Sequence, residues 1–383
     1  MTDLYLIYLA LLLVFGLAYL FIIGMYTLGW FRLKTFLLPS NSYSTRLSII
    51  IPSRDEEANI LHIIEDIAEQ DYPKNLFEVI IVDDNSGDAT PDIVNNFILH
   101  QSALQIKLIN VAEDHPNSAY KKKAISLAIE VATGDLIITT DADCRMGKQW
   151  LSSIAGFYES ANPKMIVGPV SLHNEQSYFE KMQTVEFLSL IGITAGAISI
   201  GRPIMCNGAN LAYEKSSFYD VGGFGDDSFS SGDDVFLLLK LKKHFGNKSV
   251  RFLKNENAFV FTEAKKNFKE FLHQRTRWAS KNKGYDLKIL TVSFTVFMMN
   301  FLLVLGLTWG IFNTKLVGII LEVYFIKLVI ELPVLLGIVS FANRSRMLLY
   351  ALPLIFLYPV YIIFTGTMGI IASYQWKGRT VKR

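Results

Sequence analysis

Asp141 and Asp143 stand one residue apart, directly after the apolar run 136–140. Such a run reads as a buried strand, and a buried strand that ends in two like charges needs a reason. Adjacent carboxylates repel unless something positive lies between them. A hard divalent cation, Mg²⁺ or Mn²⁺, is the usual answer, held by one or two carboxylates and completed by substrate phosphates. The bland alternative is a solvated Asx turn. The short D-x-D spacing alone does not choose between them.

Three further groups stand out. Asp83 and Asp84 close the apolar run 77–82 in the same way. Asp233 and Asp234 open an amphipathic stretch, where carboxylates also suit a helix N-terminus. Arg275, Arg277 and Trp278 crowd "FLHQRTRWAS" at 271–280, which by itself reads as an interfacial basic helix with an aromatic anchor.

The elements that must position these groups alternate. Residues 47–51 form a short apolar run ended by Pro52, and 55–70 carry helix-spaced Ile60, Ile63, Ile64 and Ile67. Strand-like runs follow at 77–82, 106–110 and 136–140, with a helical pattern at 119–132 before the last. "NSGDAT" is turn chemistry, and Thr90-Pro91 reads as an N-cap with Pro at N1. Near-continuous apolar strands between helices predict an α/β fold with a parallel sheet covered on both faces. Ligands of such sheets bind beyond the carboxyl ends of the strands, where Asp83, Asp84, Asp141 and Asp143 fall. A dinucleotide site would want glycines after the first strand, and "IPSRDEEAN" has none. His173, His244, His273 and the two cysteines, Cys144 and Cys206, lack zinc spacing. Two cysteines give no disulfide framework and suit a reducing compartment. A net charge of +2 argues against a nucleic-acid partner.

The chain is 51% hydrophobic, and the apolar residues are gathered at its two ends. Residues 4–31 carry no charge, and about 20 apolar residues span a bilayer. A cleaved signal would have a basic start and a shorter apolar core, whereas this stretch follows Thr2-Asp3. Further apolar stretches lie near 289–312, 316–341 and 347–373. The expected division is an anchor at 4–31, a globular domain at 42–286, a membrane bundle of about three spans at 289–373 and a basic tail at 374–383. Arg32, Lys34 and Arg46 on one flank and Lys281, Lys283 and Lys288 on the other put the globular domain in the cytoplasm. Arg344 and Arg346 agree. The tail, with Lys377, Arg379, Lys382 and Arg383, does not, which makes the last stretch, with Pro353 and Pro359, the suspect for an incomplete crossing. The expected setting is an integral protein of a bacterial inner membrane. Glu322, Lys327 and Glu331 lie within the apolar layer, where ionisable groups are expensive. Lys327 and Glu331, four apart, can pair on one helix face.

Taken in order, "IPSRDEEANI" (51–60), "VDDNSGD" (82–88), "KKKAI" (121–125), "TDADC" (140–144), "CNGANLAY" (206–213), "GGF" (222–224), "SGDDVFL" (231–237), "QRTRW" (274–278) and "WKGR" (376–379) resemble the membrane-bound members of glycosyltransferase family 2. That group includes cellulose, chitin and hyaluronan synthases and ceramide glucosyltransferases. The resemblance implies a GT-A fold, a nucleotide-binding α/β domain flanked by N- and C-terminal transmembrane helices. It assigns Asp84, beside Asp83, to the nucleotide base, usually uracil, and Lys121 and Lys122 to the nucleotide. It assigns Asp141 and Asp143 to the diphosphate through a Mg²⁺ or Mn²⁺ ion, with Asp143 the firmer ligand. Asp234 falls on the general base. Asp233 beside it is shorter than the Glu that many relatives carry there. Gln274, Arg275, Arg277 and Trp278 fall on the motif that grips the diphosphate and frames the acceptor site.

The chemistry agrees with these roles. Displacing a nucleoside diphosphate from an anomeric carbon requires a neutralised leaving group, which a metal and Arg277 supply. It also requires a carboxylate to take the acceptor proton. One base and no covalent intermediate imply inversion. With few spans for an export pore, the expected acceptor is a membrane lipid, its hydroxyl framed by Glu186 and Trp278. A polysaccharide acceptor and a non-catalytic membrane scaffold are the alternatives.

Overall fold

The computed structural model describes residues 2–39, 43–101, 104–111, 120–225, 232–371, 374–376 and 379–381. Helix α1 (Thr2–Arg32) leads into β1 (Leu47–Ser53), α2 (Ile60–Ala68), β2 (Phe77–Asp83), α3 (Thr90–His100), β3 (Gln105–Asn110), α4 (Tyr120–Val131) and β4 (Leu136–Thr139). The domain continues through β5 (Arg145–Met146), α5 (Trp150–Ala161), β6 (Met165–Val167), β7 (Val170–His173), α6 (Tyr178–Ser199), β8 (Leu211–Glu214) and α7 (Lys215–Asp220). It closes with α8 (Asp233–Phe245), β9 (Val250–Phe252), β10 (Val260–Glu263) and α9 (Phe268–Ala279). Then come α10 (Leu287–Gly310), α11 (Thr314–Phe341), α12 (Leu352–Ile371) and the hairpin β11 (Tyr374–Trp376) to β12 (Arg379–Val381).

The main sheet runs β3-β2-β1-β4-β8-β6-β9. Its first four strands are parallel, and β8 inserts antiparallel to both β4 and β6. The sheet is therefore mostly parallel rather than wholly so. All seven residues of β2 are buried, as an apolar run covered on both faces must be. The edge strand β3 is half-exposed along its length.

The helix expected over 55–70 begins only at Ile60. Residues 55–59 instead form a loop stitched to the loop after β2. Asp55 sits at φ 50°, its carboxylate accepts the Gly87 amide at 2.8 Å, and its own amide donates to the Ser86 hydroxyl at 3.0 Å. The Glu57 amide donates to Asp88 at 3.0 Å. Short acidic and hydroxyl side chains compete with the helix for these backbone groups. The result ties the ends of β1 and β2 into one rim.

Glu78 is a carboxylate buried within β2. It accepts from Ser48 (2.7 Å), from the Thr133 hydroxyl (2.8 Å) and from Lys107 (2.8 Å). Burial pushes its carboxyl up, but Lys107, Thr133 and Ser48 together hold it down at about 2. A depressed carboxyl stabilises the fold above its unfolded value and loses that contribution as pH falls toward the folded one. Glu78→Gln is therefore expected to flatten the loss of thermal stability between pH 4.5 and 2. It is also expected to cost about 1–3 kcal/mol at neutral pH. Melting curves of the detergent-solubilised protein across that range measure both effects.

Four described helices are long and apolar enough to cross a membrane by length and composition: α1, α6, α10 and α12. Helix α6 lies inside the segment expected to be globular, yet it packs on α1 and α11. The approach is close: a Cβ on Gly196 would stand 2.0 Å from the Tyr26 carbonyl oxygen, and one on Gly29 2.2 Å from that of Gly196. Gly29 and Gly196, one on each helix, let the α1 and α6 backbones meet, while Gly192 makes room for the Val334 and Ile338 side chains of α11. Gly196→Leu is expected to abolish recovery of monodisperse protein on gel filtration, because backbone rather than a flexible side chain occupies the space.

Helix α11 runs between these helices with the expected Lys327–Glu331 pair closed at 2.7 Å. Helix α12 is laid across α9. The turn before it packs Tyr350 edge-on against Tyr178, its middle sends the Tyr361 hydroxyl to Glu186, and its last turn sets Gly369 against Ala279. Trp376 and Arg379 pair across the closing hairpin, which lies against α9. Lys377 and Gly378 of the "WKGR" motif fall outside the described residues, as does Ser231 of "SGDDVFL".

Candidate active site

The rim of β1 and β2 builds one half of the site. The Asp84 amide donates to the Ser53 carbonyl at 2.9 Å, and Arg54 Nη1 donates to the Asp84 carbonyl at 2.5 Å while lying 3.7 Å from its carboxylate. Asp83 is used differently from Asp84. Its two oxygens accept the Ser86 hydroxyl (2.5 Å) and amide (3.0 Å), so it shapes the turn. Arg54 carried no role in the sequence reading, although its place after the first strand was a signal.

The exit of β4 supplies the acids. Lys121 on α4 reaches Asp141 Oδ1 at 2.5 Å. Burial opposes the charge on Lys121, but Asp141, Asp233 and Asp234 pull its titration upward. Asp141, after β4, and Asp233 and Asp234, on α8, thus all lie within electrostatic reach of Lys121. Burial would push the Asp141 carboxyl up, and Lys121 and Arg277 bring it below the ordinary carboxylate value. Lys122 lies over the Phe236 ring at 5.4 Å. Cys144 stands 3.8 Å from Asp143, and burial together with the two aspartates drives its thiol far up, so it is inert.

A cation is thus favoured where these acids meet. The donors at the β4 exit are two hard carboxylates, Asp141 and Asp143. Among the described residues no cluster of three or more metal-binding side chains occurs. That set fits Mg²⁺ or Mn²⁺ completed by phosphate oxygens, not an all-protein cage.

Asp234 is the second residue of α8, which starts behind Gly232, whose φ of 99° only glycine adopts freely. Its Oδ2 accepts the Gly208 amide at 3.2 Å, and its Oδ1 accepts from the Val235 amide (2.7 Å) and from Lys281 (2.9 Å). Burial would raise the Asp234 carboxyl, but Lys281, the Val235 amide and Lys121 hold it below the ordinary value. Lys281 counted in the sequence reading only as a flanking charge. Its position three residues after Trp278, one helical turn on, was the available signal.

Helix α9 separates the two arginines of the motif. Residues two apart point to opposite sides of a helix. Arg277 acts electrostatically on Asp141. Arg275 turns into the protein: Nη2 donates to Glu186 at 2.5 Å, Nη1 to Gln274 at 3.0 Å, and the guanidinium lies over the Trp278 ring at 4.1 Å. The other Glu186 oxygen accepts the Tyr361 hydroxyl at 3.2 Å. Glu186, expected beside the acceptor hydroxyl, lines the same cavity as Asp234 and Trp278 and has its two oxygens engaged by Arg275 and Tyr361.

Asp234, Lys281, Cys206 and Trp278 also line a cavity of about 970 Å³. Its other lining residues come from α1, α6, α10, α11 and α12 and include Tyr19, Lys327 and Glu331.

Family models decide the kinship. Glycosyl transferase family 2 matches residues 48–222, and glycosyl transferase family group 2 matches residues 136–365, more than half of the chain. The chain belongs to the family 2 glycosyltransferases. It is 26% identical over 258 residues to a probable glycosyltransferase, YdaM, of Bacillus subtilis, covering 65% of this chain and 58% of that one. It is 27% identical over 240 residues to the beta-monoglucosyldiacylglycerol synthase of Synechocystis, covering 61% and 47%. It is 22% identical over 275 residues to a poly-beta-1,6-N-acetyl-D-glucosamine synthase of Staphylococcus epidermidis, covering 69% and 62%. The chain spans about half the length of the curated relatives it matches. Among solved structures, the mannosyltransferase PcManGT of Pyrobaculum calidifontis, in complex with GDP-Man and Mn²⁺, superposes with a TM-score of 0.58 at 18% identity over 90% of this chain and 97% of that one. The fold of this glycosyltransferase is accordingly GT-A.

Proposed function

We propose that this glycosyltransferase moves a sugar, with inversion, from a UDP-linked donor to the hydroxyl of a membrane lipid on the cytoplasmic side of a bacterial inner membrane. One observation supports the acceptor: the cavity lined by Asp234 is lined as well by apolar residues of α1, α6, α10, α11 and α12. The contact of β11 with α9 supports a tail whose described part stays beside the catalytic domain.

Asp84 meets the nucleotide base, and Lys121 and Lys122 face the nucleotide. Asp141 and Asp143 would hold Mg²⁺ or Mn²⁺, which when bound supplies neutralisation of the leaving diphosphate. Arg277 stabilises the charge that grows on that diphosphate. Asp234 accepts the proton of the lipid hydroxyl as its oxygen attacks the anomeric carbon from the face opposite the diphosphate. Gly208 and Lys281 fix the Asp234 carboxylate for that task, and Trp278 walls the acceptor mouth.

The test uses the full chain in membranes, a panel of labelled nucleotide sugars and either metal. Label extracted into organic solvent supports the reading and names the sugar. Label in a large glycan would replace it with a polysaccharide synthase, and no transfer from any donor would replace it with a scaffold.

A further inference from the structure

Lys121 stands at the wrong end of its helix. It is the second residue of α4, whose first turn holds Lys121, Lys122 and Lys123 and no acid. The N-terminus of a helix carries partial positive charge and favours anions, so lysines there oppose the dipole. Groups outside the helix must compensate. For Lys121 the compensating group is Asp141, whose Oδ1 accepts from Nζ at 2.5 Å. Asp233 and Asp234 act on the same ammonium electrostatically.

Asp141 is also one of the two carboxylates at the β4 exit that fit Mg²⁺ or Mn²⁺. An ammonium at 2.5 Å and a divalent ion at about 2.1 Å from one carboxylate stand only about 4–5 Å apart. Like charges at that range repel, so the ion gains full hold of Asp141 only as Lys121 leaves it. The pair is built to open. The Lys121 side chain is 22% exposed and that of Asp141 40%, so neither charge is sealed in the protein. A lysine is a point charge on a flexible four-carbon stem, free to swing from a carboxylate to another anion in reach. A bare divalent ion brings no such anion. An ion that arrives with a diphosphate does, and it gives the cationic first turn of α4 a phosphate to face.

We propose that Lys121 guards Asp141 against a bare divalent ion and yields the carboxylate only to an ion that arrives with the nucleotide diphosphate, to which its ammonium then turns. Metal and donor are thereby admitted together. This rests on the metal-assisted reading above and adds an order of binding to it.

Binding of Mn²⁺ to the full chain in detergent is followed by the EPR signal of the free ion, first alone and then with saturating UDP. Lys121→Met and Lys121→Gln remove the ammonium and keep most of the stem. Both are expected to bind Mn²⁺ alone about tenfold more tightly than the wild type, as the loss of one adjacent like charge does. Both are expected to bind UDP severalfold more weakly when Mn²⁺ is present. The enhancement of Mn²⁺ binding by UDP, large in the wild type, shrinks accordingly, since the coupling between two ligands is reciprocal. Asp141→Asn in the Lys121→Met background is expected to abolish the gain, which locates the ion at Asp141. Gel filtration and melting curves confirm that each variant is folded. Mn²⁺ binding unchanged or weakened in both single variants would overturn the guard and leave Lys121 a plain nucleotide contact. No Mn²⁺ bound to the wild type even with UDP would overturn the metal reading itself.

Discussion

Asp234→Asn is expected to lower glycosyl transfer by about 10²–10⁴-fold, the range for removing a positioned proton acceptor. The substitution keeps the shape of the side chain and its bond from the Gly208 amide, so donor binding measured by nucleotide titration stays close to wild type. It also leaves Lys281 charged against a neutral amide in a site where the Lys281 side chain is 11% exposed. Stability therefore falls along with activity, and the two effects must be separated. The double variant Asp234→Asn/Lys281→Met removes the stranded charge. It should recover the melting temperature and not the transfer. Recovery of transfer in the double would show that Asp234 acts through stability rather than as the base.

Lys281→Met alone reads the same pair through pH. Asp234 must be ionised to accept a proton, so transfer rises as pH climbs through its titration. Lys281 holds that titration below the ordinary carboxylate value. In the wild type the acid limb of kcat/KM consequently lies below that value. Without Lys281, burial dominates and the limb moves to higher pH. A limb that stays in place would sever Lys281 from the base.

How far the sequence revealed this arrangement depends on how local each cause is. The strand that ends at Asp141 was visible because a continuous apolar run and a polar stop are neighbours in the chain, and β4 follows that run to within one residue. Asp83 and Asp84 look alike in sequence. Only the turn decides that Asp83 is consumed by Ser86 while Asp84 lies against Arg54. Helix α2 starts late because the loop at 55–59 answers to hydrogen-bonding groups about thirty residues away, which no window of periodicity sees. Helix α6 mixes Glu180, Lys181 and Glu186 with its apolar residues, so its length alone did not mark it. Its place beside α1 depends on glycines whose role appears only when the two backbones meet. That Asp141, Asp233 and Asp234 all act on Lys121 is a tertiary relation that ordered motifs implied through resemblance, since nothing in their spacing brings β4 and α8 together.

The two arginines of "QRTRW" provide the sharpest division between chemistry and architecture. Arg277→Ala is expected to lower kcat by about 10²–10³-fold, as the loss of one charge-stabilising donor does, with no change in melting temperature. Arg277→Lys keeps the charge without the planar fork and should recover only part of the rate. Arg275→Ala, two residues away, is expected to behave in the opposite manner. Its guanidinium is sealed between Glu186, Gln274 and Trp278, so its removal leaves the Glu186 carboxyl without its cation at 4% exposure. Breaking one side of such a pair costs about 3–5 kcal/mol, enough to empty the gel-filtration peak of a marginal membrane protein. Replacing the pair together, as Arg275→Met/Glu186→Leu, should restore folding. Thermal melts and single-turnover rates on the four variants decide the matter. A stable but inactive Arg275→Ala beside an active Arg277→Ala would exchange the roles and move the diphosphate to the inner face of α9.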